Sequence, residues 1–184
     1  AILSSLFFSE DGKFDFGLLK PIPTFENKTR LNFIKQINQD DFNSLNKLNV
    51  LSKYWNLIQS KSNLGFEKDI GFLKTHHALV KYEQKSFATA ENCKGFIYVL
   101  RDPRDVVISY AKHLNKKIDD VIFLLAQENA TTYSAKGDYP IILSRWDYHI
   151  KSWLDLKVPK FIIKYEHLLE NTSGVIKQLI SFLN

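Results

Sequence analysis

Apolar positions recur along the chain in two rhythms, and the switches between them outline its elements. Leu3, Leu6 and Phe7 fall on one face of a helix over residues 1–8. Residues 9–30 lose that rhythm and carry Asp11-Gly12, Gly17, Pro21 and Pro23, so a long surface connection is expected there. From 31 to 60 the chain is rich in Asn and Lys. Leu45, Leu48, Tyr54, Trp55, Leu57 and Ile58 return at helical spacing, which predicts one or two helices. Ile70-Gly71-Phe72-Leu73 is a short apolar run after Gly65, ending in Lys74-Thr75-His76-His77, and its length predicts a buried strand. Phe96-Ile97-Tyr98-Val99-Leu100 is a second such run. It is apolar or aromatic throughout, as in a central strand covered on both faces.

Helix signals follow that strand at once. Asp102 stands where an N-cap is needed, and Pro103 takes the first helical position, where a missing N–H costs nothing. Asp105 sits at the third helical position, a weaker form of the capping box. The helix then runs through Val106, Val107, Tyr110 and Leu114. Residues 118–129 predict another helix, followed by a loop with Gly137 and Pro140. Trp146, Ile150, Trp153 and Leu154 mark an amphipathic helix that Pro159 ends. Phe161-Ile162-Ile163-Lys164-Tyr165 predicts a third strand, and a last helix starts after Asn171 or Thr172. Strands alternating with helices give an α/β, three-layer fold with a mainly parallel sheet. The 184 residues suit one domain. The apolar helices at both ends lack an entry cap and an exit signal, so the chain is expected to be a fragment of a longer protein.

Composition narrows the classes. With 45% hydrophobic and 24% charged residues, disorder over most of the length is excluded. No apolar run reaches the roughly 18 residues a membrane span needs. The single Cys93 excludes an internal disulfide and a multi-Cys metal site, and points to a reducing, cytoplasmic location. The net charge of +5 suits a small anionic ligand without arguing for nucleic acid. Arginine is rare, yet two of the four, Arg101 and Arg104, share one five-residue stretch with Asp105.

Ligands of open α/β sheets bind beyond the carboxyl ends of the strands. Lys74-Thr75-His76, Arg101-Asp102 and Tyr165-Glu166-His167 stand at three such ends and would converge if the strands are neighbours. Arg101, just before a helix start, offers a fork of donors that fits phosphate. Ser109 shares a helix face with Asp105. A plain surface role, arginines bridging to acids around a well-capped helix, explains the same residues. His76 has the chemistry to take a proton from a hydroxyl, or it is merely a polar strand end. In extended chain His76 and His77 point to opposite sides. His76, His77, His113, His149 and His167 lack metal-ligand spacing on one helix. There is no Gly-x-Ser-x-Gly elbow and no Gly-x-x-x-x-Gly-Lys-Ser/Thr loop.

Taken together, Tyr98-Val99-Leu100-Arg101-Asp102-Pro103-Arg104-Asp105-Val106-Val107-Ile108-Ser109-Tyr110 resembles a segment of the PAPS-dependent sulfotransferases, the soluble type with a P-loop-kinase-like fold. PAPS is 3′-phosphoadenosine 5′-phosphosulfate. The resemblance implies that Arg101 and Ser109 contact the 3′-phosphate. Leu73-Lys74-Thr75-His76 is similar to the family's Lys-Thr-His motif, which implies His76 as general base and Lys74 as the residue assisting the sulfuryl group. His149-Ile150-Lys151-Ser152-Trp153 and Phe161-Ile162-Ile163-Lys164-Tyr165-Glu166 resemble the late helix and strand, implying that Tyr165 approaches the adenine. Matched order and spacing run over residues 70–184. The family's Pro-Lys-Ser-Gly loop and its Arg-Lys-Gly segment are absent, in line with the expected fragment, and the chain alone is then expected to be inactive. The implied donor is PAPS, with no metal and a hydroxyl or amine acceptor on a small molecule or glycan. Phe72, Tyr82 and Phe87 would line the acceptor pocket or belong to the core. A small-molecule kinase on the same fold and a non-catalytic polyanion-binding domain are the rival readings.

Overall fold

The computed structural model describes residues 2–11, 13, 15–20, 22, 24–25, 34, 36–60, 71–133 and 139–184. Gly12, Pro21, Pro23, Arg30, Gly65, Ile70 and Gly137 lie outside them, as do the side chains of Leu6 and Phe7. In chain order the elements are α1 (Ile2–Phe8), a 3-10 turn (Phe16–Leu19), α2 (Gln39–Phe42), α3 (Leu48–Leu51), a second 3-10 turn (Ser52–Tyr54) and α4 (Trp55–Ile58). The hairpin β1 (Lys81–Tyr82) and β2 (Lys85–Ser86) precedes β3 (Phe96–Leu100), α5 (Pro103–Leu114) and α6 (Ile118–Leu125). Then come β4 (Thr131–Tyr133), β5 (Pro140–Ile142), α7 (Trp146–Leu154), β6 (Lys160–Lys164), α8 (Tyr165–Glu170) and α9 (Thr172–Leu183). Helices mixed with a parallel strand pair make this an α/β fold. The chain forms two compact units, Ala1–Ala88 with Thr131–Ile142, and Thr89–Ala130 with Leu143–Asn184.

The first unit is built around an aromatic core. Phe25, Leu45, Leu51, Trp55, Ile58 and Phe87 are each at most 1% exposed. Phe87 therefore belongs to the core and not to a pocket wall. The apolar positions of 31–60 do pack, but as three short helices separated by turns. Asn38 caps α2 by accepting the Asp41 N–H at 2.7 Å, whereas α3 and α4 start without a side-chain cap. Asn43, Ser44 and Asn46, between α2 and α3, favour turns over helix interiors. Residues 71–73 form no strand. Lys74 makes an isolated parallel bridge to Thr24, and its carbonyl accepts the Phe25 N–H at 2.8 Å. A single bridge fixes the chain there without propagating a ladder.

The second unit carries the parallel pair. β3 and β6 run in register from Phe96↔Lys160 to Leu100↔Lys164. Gly95 admits β6 closely, because a Cβ there would stand 3.0 Å from the Pro159 carbonyl oxygen. Phe161 stacks on Phe182 of α9 at 5.5 Å, and Phe96 meets Trp153 of α7 at 5.4 Å. The Tyr98 hydroxyl and His149 Nδ1 are hydrogen-bonded at 2.7 Å, and burial pushes the Tyr98 phenol up to about 12. β3 is less covered than its composition suggests. Val99 is 55% exposed although its register partner Ile163 is buried, so cover on that face lies over β6.

Caps set the helix limits. Asp102 accepts the Arg104 N–H at 2.9 Å with Pro103 at the first helical position, as the sequence predicts. Asn115, at φ 51° and ψ 48°, closes α5 in the left-handed region. α6 ends at Leu125, short of residue 129, where the apolar rhythm stops at Gln127 and Glu128. The Asn171 side chain accepts the Gly174 N–H at 3.0 Å and starts α9. The predicted strand over 161–165 instead spans 160–164, and Tyr165 is already the first residue of α8, with no loop residue between.

Candidate functional site

Register decides what meets at the end of the parallel pair. Because Leu100 and Lys164 are the last partners, the residues that follow on each strand emerge side by side. These are Arg101-Asp102 and Tyr165-Glu166. The Arg101 guanidinium lies over the Tyr165 ring, 4.7 Å from its centroid, a cation–π contact that holds a flexible side chain flat. The nearest acid is Asp105, one turn along α5, at 3.6 Å from Arg101 Nη2. That pair is loose and half exposed, and is worth little by itself. Arg101 Nε is enclosed yet has no hydrogen-bond acceptor among the described residues. The Arg101 side chain as a whole stays partly exposed, so its outer guanidinium nitrogens are the donors that an incoming anion can meet.

The surrounding carboxylates are committed elsewhere. Asp102 caps α5 and also takes both ends of the Arg104 guanidinium, at 3.0 Å to Nε and 2.6 Å to Nη2. The Arg104 side chain, then its backbone N–H, hold the Asp102 carboxyl down at about 2. Glu166 Oε1 accepts the Asp102 N–H at 3.1 Å. The Glu166 carboxyl is lowered first by its own backbone N–H and then by that of Asp102. Both groups are therefore anions at neutral pH, and the free donor capacity of this cluster is that of Arg101. Ser109 is exposed on α5, one turn beyond Asp105.

Lys74 and His76 belong to the first unit, and both are exposed. Thr75 accepts the His77 N–H at 3.1 Å through its hydroxyl. His77 is fully buried. Its ring stacks on Phe87 at 4.4 Å, and its Nδ1 accepts the Ile142 N–H at 3.2 Å. The adjacent histidines thus have opposite surroundings, one open to solvent and one inside the core.

A family model for the sulfotransferase domain matches residues 2–184. The chain belongs to the sulfotransferase domain family. Membership supports a transferase acting on sulfuryl groups. Among curated proteins, none matches the chain.

Two residues of this sulfotransferase domain have roles that sequence reasoning did not assign. Asp105 was expected to complete a capping box by reaching back to the Asp102 N–H. Its carboxylate turns to Arg101 instead, and Glu166 supplies the acceptor from β6's end. The signal for Glu166 was its place directly after Tyr165 at a strand end, but its use depends on the β3–β6 register. Among the described residues, no group of three or more His, Cys, Asp or Glu side chains could hold a metal, and no helix is long and apolar enough to cross a membrane.

Proposed function

We propose that this sulfotransferase domain moves a sulfuryl group from PAPS to a hydroxyl or amine of a small-molecule or glycan acceptor. The observation that carries the donor assignment is Arg101. Its guanidinium is held flat on Tyr165, its side chain stays partly exposed, and its ion pair with Asp105 is loose at 3.6 Å. A phosphate is the anion whose oxygens match that fork. Arg101 would take the 3′-phosphate, displacing only the loose contact with Asp105, and the exposed Ser109 hydroxyl would add a further donor. Tyr165 would face the adenosine as well as support Arg101.

Bound PAPS would supply the sulfuryl group. His76, exposed next to the buried His77, would take the acceptor's proton on a ring nitrogen. Lys74 would balance the negative charge that develops on the sulfuryl oxygens. Anchoring the donor at Arg101, far along the nucleotide from the reacting sulfur, uses binding energy for positioning. A lone, half-buried thiol whose pKa is raised by burial, Cys93, suits the reducing cytoplasm.

The test is a titration of the protein and of Arg101→Ala with adenosine 3′,5′-bisphosphate (PAP) and with adenosine 5′-phosphate, which lacks the 3′-phosphate. A lost charged hydrogen bond costs roughly 1.5–3 kcal/mol, so PAP affinity should fall about 10- to 150-fold while adenosine 5′-phosphate affinity stays near that of the unmodified protein. Equal losses for both ligands would assign Arg101 a purely structural role.

A further inference from the structure

We infer that Glu166 is a positioning residue, fixing the Arg101–Asp102 peptide so that the Arg101 guanidinium presents its fork to a phosphate. The inference rests on the 3′-phosphate reading of Arg101 but adds a residue that the reading does not need. β3 and β6 exchange backbone hydrogen bonds only up to the Leu100↔Lys164 pair. Beyond it, a continuing strand on the β6 side would offer carbonyls to the other strand's N–H groups. The chain instead turns straight into α8 at Tyr165. The Asp102 N–H thereby loses its backbone partner, and the Glu166 side chain supplies one at 3.1 Å.

The consequence reaches Arg101 through the peptide plane that joins it to Asp102. That plane carries the bonded N–H, so the bond restricts ψ of Arg101 and with it the direction of its Cα–Cβ bond. The same short segment, Tyr165-Glu166, provides the ring under the guanidinium and the carboxylate that holds the backbone. Side chain and main chain of Arg101 are thus held from two consecutive residues of α8. A donor fork held in this way loses less freedom when a phosphate arrives. Glu166 does not itself suit the anion, since a carboxylate repels phosphate. It acts through Arg101.

The test compares Glu166→Ala with Glu166→Gln. Gln keeps an oxygen that can accept the Asp102 N–H, and Ala does not. Exchange of the Asp102 amide hydrogen should be faster in Glu166→Ala than in the unmodified protein and largely restored in Glu166→Gln, with or without nucleotide. PAP affinity should fall about tenfold in Glu166→Ala and recover to within about threefold in Glu166→Gln. Adenosine 5′-phosphate should bind all three proteins alike. Unchanged PAP affinity and unchanged Asp102 exchange in Glu166→Ala would overturn the inference, as would an equal loss for both nucleotides. If the unmodified protein fails to prefer PAP over adenosine 5′-phosphate, the phosphate reading of Arg101 falls, and the exchange measurement still decides whether Glu166 holds the peptide.

Discussion

The two neighbouring histidines should separate stability from turnover. His77 is fully buried, stacked on Phe87, with edge contacts to Phe25 at 5.4 Å and Trp55 at 6.2 Å. Cutting it to Ala leaves a cavity, and deleting a buried side chain of this size costs about 2–4 kcal/mol. It also strands the Ile142 N–H, which donates to Nδ1, at about 1–3 kcal/mol. The two costs overlap as the site relaxes, so about 3–5 kcal/mol is expected. For a chain of this length that lowers the melting temperature by about 6–20 °C. His77→Asn, which keeps an acceptor oxygen, should fall between. His76 is exposed, and His76→Asn should change stability by no more than about 0.5 kcal/mol. In a chain that also carries the family's Pro-Lys-Ser-Gly loop, turnover should reverse the order. His76→Asn should lose roughly 10²- to 10⁴-fold in kcat/KM, the span attributed to a positioned base. The His77 variants, assayed well below their melting temperatures, should keep most of theirs. Melting by circular dichroism beside PAPS-dependent transfer to a range of phenols, alcohols and amines makes both measurements. A His77→Ala protein that melts like the unmodified one would refute the packing argument. A folded, active His76→Asn protein would remove His76 as the base.

Acid should erase the advantage of Asp102 over a neutral cap. Its carboxyl is held at about 2, below the roughly 3.9 of an unfolded chain, so its charge stabilises the fold fully above about pH 4, and that contribution is lost as pH falls through 2. Asn caps helices as well as Asp does, so the stability gap between the protein and Asp102→Asn should be flat above pH 4 and close on the way to pH 2. A gap that ignores pH would contradict the pairing with Arg104. At the other end of α5, Asn115 occupies the left-handed region, so Asn115→Ala should cost about 1 kcal/mol while Asn115→Gly is tolerated, as read by denaturant unfolding. Greater stability of the Ala variant would count against that backbone assignment.

The elements that declared themselves in the sequence are those with local causes. Five apolar residues followed by Arg-Asp-Pro marked β3, the Asp102 cap and α5, because strand burial and helix capping are each settled within a few residues. The short helices of 31–60 were harder, since their limits depend on where Asn and Ser side chains bond the backbone, as Asn38 and Ser52 do. The run before Lys74 had strand composition, but a strand needs a partner, and Thr24 pairs with Lys74 alone. The β1–β2 turn was hidden as well, because Glu83 and Gln84 take positive φ where Gly or Asn would have advertised it. For the candidate site, the strand-end pattern singled out Arg101, and the resemblance singled out Arg101 and Tyr165. Their stacking, the diversion of Asp105 and the reach of Glu166 follow from register between strands some sixty residues apart, which no local pattern encodes.

The direct junction of β6 and α8 bears on how the length of this domain can vary. A helix advances about 100° and 1.5 Å per residue. One residue inserted between Lys164 and Tyr165 would therefore swing the ring out from beneath Arg101 and carry the Glu166 carboxylate away from the Asp102 N–H, with every side chain still present. Insertions are absorbed by turns with slack. At 164–165 there is none, so a change of chain length at this point should be harsher than any single substitution in the cluster.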